Sequence, residues 1–351
     1  MNLHDNYLAT AIGSFPHQNP ETACRMILEN LTQIPVWPQL PKTGFLENMY
    51  VQYSEGLPCV NLDIENKKIF FDTSKNMEAE LESFYEKYLS NNISLFEITK
   101  KYSAGFHTMM EILKKEIPQS IRFIKGQITG PISFGLTVQD ETGKPVIYNE
   151  ILFDAIIKGL TMKACWQLTK FRELGLKGII FLDEPYLSAF GSAHVPLNKK
   201  MVIQALNEII VNIQELGGLV GIHCCGNTDW SVLLETEVDI LSFDAYNFAD
   251  TLSLYPESLK HFLSGGGILA WGIVPTVEDI IKESIETLTG RFNNGISSLC
   301  HDFISKEALI ENVIITPSCG TGALSEAAAE RILSLTSRLS ACLKGKDGGR
   351  L

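Results

Sequence analysis

The sequence predicts an α/β protein, specifically a (β/α)8 TIM barrel, and three observations support this fold class. Eight short apolar runs, rich in β-branched residues, each end in polar, Gly or Pro residues. Segments with helical periodicity follow most of them. The runs are nearly continuous in apolar residues, which is typical of parallel strands buried on both faces. The runs are residues 8–16, 34–41, 122–131, 178–185, 218–226, 239–247, 266–275 and 312–320.

The segments between these runs predict helices and one insertion. Apolar residues recur at intervals of three and four over residues 148–175 and 197–218, and a closing helix is predicted over 325–345. Residues 59–72 alternate on both sides of "EN", which predicts an appended β-hairpin between the second and third strands. Extra helices are predicted there over 76–90 and 103–116. Because we find neither a repeat beyond the βα unit nor a Pro/Ser-rich linker, we expect one domain over residues 1–351.

The composition limits the class of protein. The 351 residues are 45% hydrophobic, and 29 Lys and Arg against 41 Asp and Glu give a net charge of -12. Nucleic-acid phosphates need a basic surface, so this balance argues against a nucleic-acid partner. The sequence has neither the pattern of a signal peptide nor an apolar run long enough to span a membrane, so we expect a cytoplasmic protein. Its eight cysteines are then expected to be reduced thiols, and clustered ones are candidates for metal binding or catalysis.

Polar residues lie at the ends of the predicted strands, where the active sites of barrel enzymes are found. His223 and Cys225 end the fifth run. Because alternate side chains of a strand share a face, these two point together and Cys224 points the other way. Cys319 ends the eighth run, and a barrel brings the two strand ends to one mouth. The sequence therefore predicts a His/Cys/Cys set there, although an isolated cysteine on a strand is more often a packed thiol.

One imidazole and two thiolates suit Zn²⁺ in tetrahedral geometry and leave one position open. Asp244, at the end of the sixth run, could fill that position until a substrate displaces it, and Tyr246 is a weaker candidate. Zinc with two thiolate ligands binds a third sulfur well and lowers its pKa. We therefore expect a substrate thiolate to attack an electrophilic carbon such as an activated methyl group. Hydrolysis by metal-activated water is the competing use.

Five stretches fall in the order of motifs known from one family. They are "AIGSFPH" (11–17), "GQITGPISF" (126–134), "FLDEPYL" (181–187), "HCC" (223–225) and "TPSCG" (316–320). The chain resembles the catalytic barrel of cobalamin-independent methionine synthase, as a single-domain "core" form. It also resembles the wider superfamily of uroporphyrinogen decarboxylase and the corrinoid-dependent thiol methyltransferases.

The resemblance implies roles for particular residues. The family's zinc ligands correspond to His223, Cys225 and Cys319, and Asp244 stands where the family has a Glu. Family members hold the amino-acid part of homocysteine through residues that correspond to Ser14 and Asp183. A further family Glu matches only loosely, with Gln52 or Glu55 in its place. The predicted residues are therefore His223, Cys225, Cys319 and Asp183 for catalysis, Ser14, Asp183, Glu184 and Gln52 for the substrate, and His223, Cys225, Cys319 and Asp244 for the metal.

The resemblance also bears on the methyl donor. The family's N-terminal barrel, which helps to bind methyltetrahydrofolate, has no counterpart in the sequence, and residues 267–276 replace the stretch that carries the family's proton-shuttling histidine. We therefore expect methylcobalamin, or a methylated corrinoid protein as a partner, to donate a methyl group to homocysteine. Trp271 is either an apolar platform for a corrin ring or a core residue. His17, His107 and His194 are candidate proton carriers or structural histidines.

Three alternatives to methionine formation stay open. The first is corrinoid-dependent methylation of another thiol, such as coenzyme M. The second is a uroporphyrinogen decarboxylase-like lyase, whose polycarboxylate substrate would need arginines that the sequence does not place near its strand ends. The third is a non-catalytic zinc-containing partner of a corrinoid protein.

Overall fold

The central element of the protein is a curled sheet of parallel strands. The computed structural model describes residues 7–191, 197–300 and 304–347. The strands there are β1 Leu8–Ala9, β2 Val60–Asp63, β3 Lys68–Phe71, β4 Phe123–Thr129, β5 Gln139–Asp140, β6 Lys177–Asp183, β7 Leu219–Cys224, β8 Ile240–Phe243, β9 Ile268–Val274 and β10 Val313–Pro317. Seven of them form the main sheet in the order β1-β10-β9-β8-β7-β6-β4, with parallel pairing throughout.

Helices follow most of the strands of this sheet. They are α1 Pro20–Asn30, α2 Met77–Leu89, α3 Ala104–Lys115, α4 Pro131–Thr137, α5 Glu150–Glu173, α6 Lys199–Glu215, α7 Trp230–Leu234, α8 Ala245–Phe248, α9 Pro256–Ser264, α10 Ile285–Leu299, α11 Lys306–Ile310 and α12 Glu326–Asp347. Short 3₁₀ helices cover Phe45–Glu47, Ile93–Phe96, Val146–Tyr148, Pro185–Ala189, Ala249–Leu254 and Glu278–Lys282. The helices predicted from periodicity are confirmed as α2, α3, α5, α6 and α12. None of the described helices has both the length and the apolar character that a membrane crossing requires.

Local sequence explains where several helices begin. Asn149 accepts a hydrogen bond from the amide of Leu152 and so caps the long helix α5. Ser284 and Thr287 form a reciprocal capping box at the start of α10. α1 and α10 lie outside the segments for which we predict a helix.

The second predicted strand, the proline-rich segment of residues 34–41, does not form a regular strand, and this corrects the expectation of a barrel with eight regular strands. This segment forms isolated bridges, between Val36 and Lys125 and between Ser14 and Gln39. Pro35, Pro38 and Pro41 lack the N–H that a regular ladder needs. The described chain therefore has a curled seven-stranded sheet with bridges at its two edges, and no closed barrel of eight strands.

The appended hairpin is confirmed. β2 and β3 pair antiparallel, with Val60 opposite Phe71 and Asp63 opposite Lys68. A feature that the sequence analysis does not predict is β5, which pairs parallel with β3 and extends the hairpin to a three-stranded sheet.

Alternate residues of the main strands share the inner face of the curled sheet, where ten apolar side chains form one buried cluster. Phe181 of β6 belongs to it, and Gly221 of β7 makes room for its ring, since a Cβ at Gly221 would lie 2.3 Å from that ring. Two residues further along each strand the same face carries Asp183 and His223, which are paired in the sheet. The C-terminal ends of the strands therefore present polar groups above an apolar floor.

Candidate metal centre

The structure brings His223, Cys225 and Cys319 together. Their ligand atoms, one ring nitrogen and two Sγ atoms, all lie within 4.8 Å of one another. β8 and β9 separate β7 from β10 in the sheet, so the curl of the sheet is what places Cys319 beside the other two. This arrangement agrees with the predicted His/Cys/Cys set. Three such donors fit the tetrahedral coordination of zinc.

A buried hydrogen bond orients His223. Its Nδ1 lies 3.0 Å from Oγ of Ser242 on the neighbouring strand β8, and the side chain is 3% exposed. Its Nε2 is buried without a hydrogen-bond partner. Buried polar atoms are rarely left unpaired, and a metal-bound histidine characteristically donates its other N–H to a fixed acceptor. Ser242, which the sequence analysis missed, is the single polar residue in an otherwise apolar strand.

The two cysteines of the cluster differ from Cys224 in their chemistry. The Cys319 thiol, by donating a hydrogen bond, and the His223 ring lower the pKa of Cys225 to about 4. The same hydrogen bond, together with burial, raises the pKa of Cys319 well above its usual value. One thiolate and one thiol therefore share a proton, and the thiolate is the metal-binding form. Burial raises the pKa of Cys224 to about 12, and its Sγ donates to the carbonyl of Gly226.

Asp244 lies outside the cluster of three ligands. Its Oδ1 accepts the backbone N–H of Asn247 at 3.0 Å, and its Oδ2 accepts the Asn247 side-chain amide at 2.7 Å. Asp244 thereby caps α8 and is buried. Metal ligation by Asp244 stays a prediction. Tyr246, the weaker candidate, donates its hydroxyl to Glu283 at 2.6 Å.

Ser14 packs against the residues that follow Cys319, since a Cβ on Gly320 would lie 2.1 Å from the Ser14 Oγ. The Ser14 carbonyl accepts the backbone N–H of Thr321 at 2.9 Å and its hydroxyl at 3.0 Å. The Ser14 Oγ accepts the N–H of Gly322 at 3.4 Å. These bonds fix the loop after β10 against the predicted substrate residue, and Ser14 itself is partly exposed.

Asp183 ends β6 next to His223 and has an unused acceptor. Its Oδ1 is buried without a hydrogen-bond partner. Burial raises the pKa of Asp183 to about 6, while Lys125 and His223 act in the opposite direction. Such a carboxyl group is well suited to receive a ligand's donor or positive charge.

Two further residues near Asp183 were missed by the sequence analysis. Gln127 on β4 has a buried, unpartnered Oε1, and it packs so closely on Gly13 that a Cβ there would lie 2.7 Å from that atom. Gly13 also has a φ of 150°, which favours glycine. Lys125 is fully buried, donates to the carbonyl of Ile12, and stands 4.1 Å from the centre of the Phe181 ring. Burial lowers the pKa of Lys125 to about 7, against the attraction of Asp183.

Glu184 has a different role from the predicted substrate contact. It is fully buried, and its carboxylate accepts the N–H groups of Ile132 and Ser133 at 2.9 and 2.7 Å and the Ser133 hydroxyl at 2.6 Å. These donors belong to the first turn of α4, whose N–H groups have no partner within the helix. The Glu184 oxygens are therefore engaged by the chain itself. Burial raises the pKa of Glu184 to about 7.

Gln52 is likewise engaged by neighbouring groups. Its Oε1 accepts from the side chain of Gln39 at 2.9 Å, and its Nε2 donates to the carbonyl of Tyr102 at 2.6 Å. The alternative residue, Glu55, accepts from the amide and the hydroxyl of Thr99. Because Gln52 is fully buried and hydrogen-bonded, its position favours support of the site over direct substrate contact.

The sequence analysis missed Glu47, whose buried carboxyl group should make the stability of the protein depend on pH. It accepts the N–H groups of Leu40 and Ala104, and burial raises its pKa to about 7. The native state therefore holds this proton over a pH range in which the unfolded chain, with the usual pKa, has lost it. The free energy of unfolding is expected to fall by about 2 kcal/mol through this group as pH rises from about 5 to 8.

Urea unfolding at both pH values, with Glu47→Gln as the comparison, measures this contribution. The variant cannot titrate at this position, so its loss of stability over the interval should be smaller than in the native protein. An identical loss in both proteins would contradict the shift.

The remaining predicted residues lie apart from the cluster or outside the described chain. His107 Nε2 lies 2.8 Å from the carbonyl of Ile98. His17 is buried, and its Nε2 lies 3.7 Å from a carboxylate oxygen of Glu330. His194 is outside the described residues. The proton-carrier roles stay predictions. Trp271 is fully buried against Phe243 and Phe292, so the core alternative is correct and it offers no exposed platform.

The fold and the cluster together define a class: an α/β protein with a curled parallel sheet and a candidate His/Cys/Cys metal site at the C-terminal ends of its strands. A solved structure with a similar fold is a B12-independent methionine synthase from a Shewanella species, in complex with selenomethionine. The two are 16% identical, with a TM-score of 0.61, over 98% of this chain and 100% of that chain. At this identity the similarity shows a shared fold.

A second structure, of the catalytic modules of a pneumococcal exo-β-D-N-acetylglucosaminidase, aligns with a TM-score of 0.42 at 10% identity, over 96% of this chain and 85% of that chain. That similarity is too low to support an argument. Neither a protein-family model nor a curated protein sequence matches the chain at a significant level.

Proposed function

We propose that this chain is a zinc-dependent methyltransferase that methylates the thiol of homocysteine to give methionine. The observation that carries the proposal is the cluster of His223, Cys225 and Cys319, together with the buried Nε2 of His223, which has no hydrogen-bond partner. A buried nitrogen without a partner and a pair of thiols that share one proton fit a divalent metal of zinc's softness.

The three side chains would hold zinc, and Ser242 would keep the His223 ring oriented toward it. Zinc held there would lower the pKa of a substrate thiol, so that the thiolate nucleophile is available at neutral pH. Cys225 and Cys319 would lose their shared proton on binding the metal. Asp244, as the predicted fourth ligand, would first have to leave its two hydrogen bonds with Asn247.

The surroundings of the cluster favour an amino-acid thiol as the substrate. Asp183 offers a buried, unpaired carboxylate oxygen beside His223, suited to an α-ammonium group. Ser14 packs against Gly320, the residue after Cys319, and its partly exposed side chain is suited to the other end of the amino acid. Holding the substrate at these two points would orient its thiol for transfer.

The fold relative bears on the acceptor and the donor differently. It is described as a methionine synthase, which supports homocysteine as the acceptor here. It is also described as B12-independent, so it gives no support to the corrinoid donor or the corrinoid-protein partner that we expect from the sequence. The donor is therefore the variable of the experiment. A reducing, cytoplasmic setting belongs to the proposal, since all eight cysteines are free thiols.

The test is formation of methionine, followed by mass spectrometry. The zinc-loaded protein is incubated with homocysteine and either methylcobalamin or methyltetrahydrofolate, and one donor is expected to give catalytic turnover. Asp183→Asn should lower kcat/KM for homocysteine by about 10- to 100-fold, because a charge-assisted contact contributes about 1.5–3 kcal/mol. The same variant should leave the reaction of coenzyme M, which has no ammonium group, nearly unchanged.

The outcomes separate the alternatives. Methylation of coenzyme M without methylation of homocysteine would favour the hypothesis that the acceptor is another thiol. Zinc binding without transfer to any thiol would favour a non-catalytic partner. If the protein binds no metal, zinc-dependent methylation of homocysteine and of any other thiol are both excluded.

A further inference from the structure

A surface recess lies between α8 and α10. Its volume is about 270 Å³. α8 begins directly after Asp244, so the recess is at the same end of the sheet as the metal cluster. Its polar lining side chains are Tyr246, Asn247, Asp250, Arg291, Asn294 and Ser298.

Arg291 stacks on a tyrosine ring, and the nearby Glu283 carboxylate attracts its charge. The central carbon of its guanidinium lies 4.2 Å from the centre of the Tyr246 ring. Among the described residues, the guanidinium has no hydrogen-bond or ion-pair partner. All of its N–H donors are therefore available, in the planar geometry that suits carboxylate and phosphate oxygens.

The stacking partner is itself fixed. Tyr246 donates its hydroxyl to Glu283 at 2.6 Å, and Glu283 also accepts the Thr287 hydroxyl at 2.6 Å. Glu283 thus orients the ring without taking a hydrogen bond from the arginine. An arginine that is already oriented loses less conformational entropy when it binds an anion.

The other lining residues favour recognition of an anion by hydrogen bonds over attraction by positive charge alone. The side chains of Asn247, Asn294 and Ser298 add neutral groups that can donate hydrogen bonds. Asp250 is the acidic member of the lining. Since the chain has a net charge of -12, attraction of an anion to this recess must come from the local contacts.

We propose that this recess is a binding site for a carboxylate or phosphate group, with Arg291 as its principal contact. The proposal does not depend on methyl transfer. Asn247 lines the recess and also forms both hydrogen bonds to Asp244, the predicted fourth metal ligand.

Isothermal titration calorimetry with two probes, inorganic phosphate and glutarate, tests the proposal on the full chain. Saturable binding of at least one probe is expected, and Arg291→Gln should weaken it at least about tenfold. Arg291→Lys keeps the charge but loses the planar donors, so its affinity for the probe should lie between those of the native protein and Arg291→Gln. Tyr246→Leu keeps the arginine but removes the ring that orients it, and it should weaken binding several-fold.

The matched control is Arg25→Gln. Arg25 is also exposed and lines a recess of about 370 Å³, but its guanidinium is bonded to Glu21 at 2.6 Å. Its replacement should leave the affinity unchanged. Binding of only one probe would still support the site, and it would show whether the site prefers a phosphate or a carboxylate group. No saturable binding of either probe, or equal affinities for the native protein and Arg291→Gln at unchanged melting temperature, would overturn the proposal.

Discussion

With zinc at the proposed centre, the Cys225→Ser variant is expected to bind it far more weakly, whereas the Cys224→Ser variant should bind it as the native protein does. Cys225 supplies one of three clustered ligand atoms, and a serine hydroxyl stays protonated where the thiol ionises. Replacing a residue that only hydrogen-bonds to a metal ligand typically lowers metal affinity about 10- to 100-fold. Replacing a ligand itself should have a larger effect, so we expect zinc affinity to fall at least about a hundredfold. Cys224 points away and is fully buried, so its replacement should cost only about 1–2 kcal/mol of stability.

Metal content per protein chain after dialysis, measured by mass spectrometry, checks this prediction. Far-UV circular dichroism shows whether each variant is folded. Cys319→Ser should behave like Cys225→Ser, because its Sγ belongs to the same cluster. The assignment is wrong if Cys224→Ser loses the metal and Cys225→Ser retains it.

The second large effect concerns stability. Glu184→Ala is expected to lower the free energy of unfolding by about 3 kcal/mol. The substitution leaves the N–H groups of Ile132 and Ser133 buried without their acceptor and opens a cavity at the start of α4. Equilibrium unfolding in urea measures the change.

Glu141 offers a matched control. Its carboxylate also accepts a backbone N–H and a hydroxyl, both from Thr73, but it is exposed. Water can replace these bonds at the surface, so Glu141→Ala should cost less than about 1 kcal/mol. Equal losses for the two variants would show that the buried carboxylate has no special part in holding α4.

The strands that the sequence predicts correctly are those with continuous apolar runs. β4 and β7 to β10 lie within predicted segments, and β6 begins one residue before its segment, because burial on both faces imposes a composition that is visible without tertiary information. The proline-rich segment has the same composition, yet its prolines prevent regular pairing. In this segment the apolar pattern correctly indicates burial, but the missing backbone N–H groups of the prolines prevent a regular strand.

The site was predictable to the extent that it depends on strand alternation. His223 and Cys225 share a face for that reason, and the curl of the sheet adds Cys319. Glu184 and Gln52 have the residue types of substrate contacts, but partners far away in the sequence engage their polar atoms. Ser242 and Gln127 acquire their meaning only from the groups they face. Such pairings cannot be read from one strand alone.

The proline-rich segment makes one side of the sheet easier to open than the other. Gln33, Pro35 and Trp37 bond to the backbone at and just before β4, but of residues 33–41 Gln39 alone bonds to the backbone of residues 13–15 after β1. Continuous ladders join β7 to β10 through β8 and β9. Local opening is expected where backbone hydrogen bonds are fewest. Ser14 borders this sparsely bonded seam, whereas the candidate ligands His223, Cys225 and Cys319 lie at the ends of the continuously paired strands. The molecule thus combines one side that opens more easily with another that holds the His/Cys/Cys cluster in a fixed geometry.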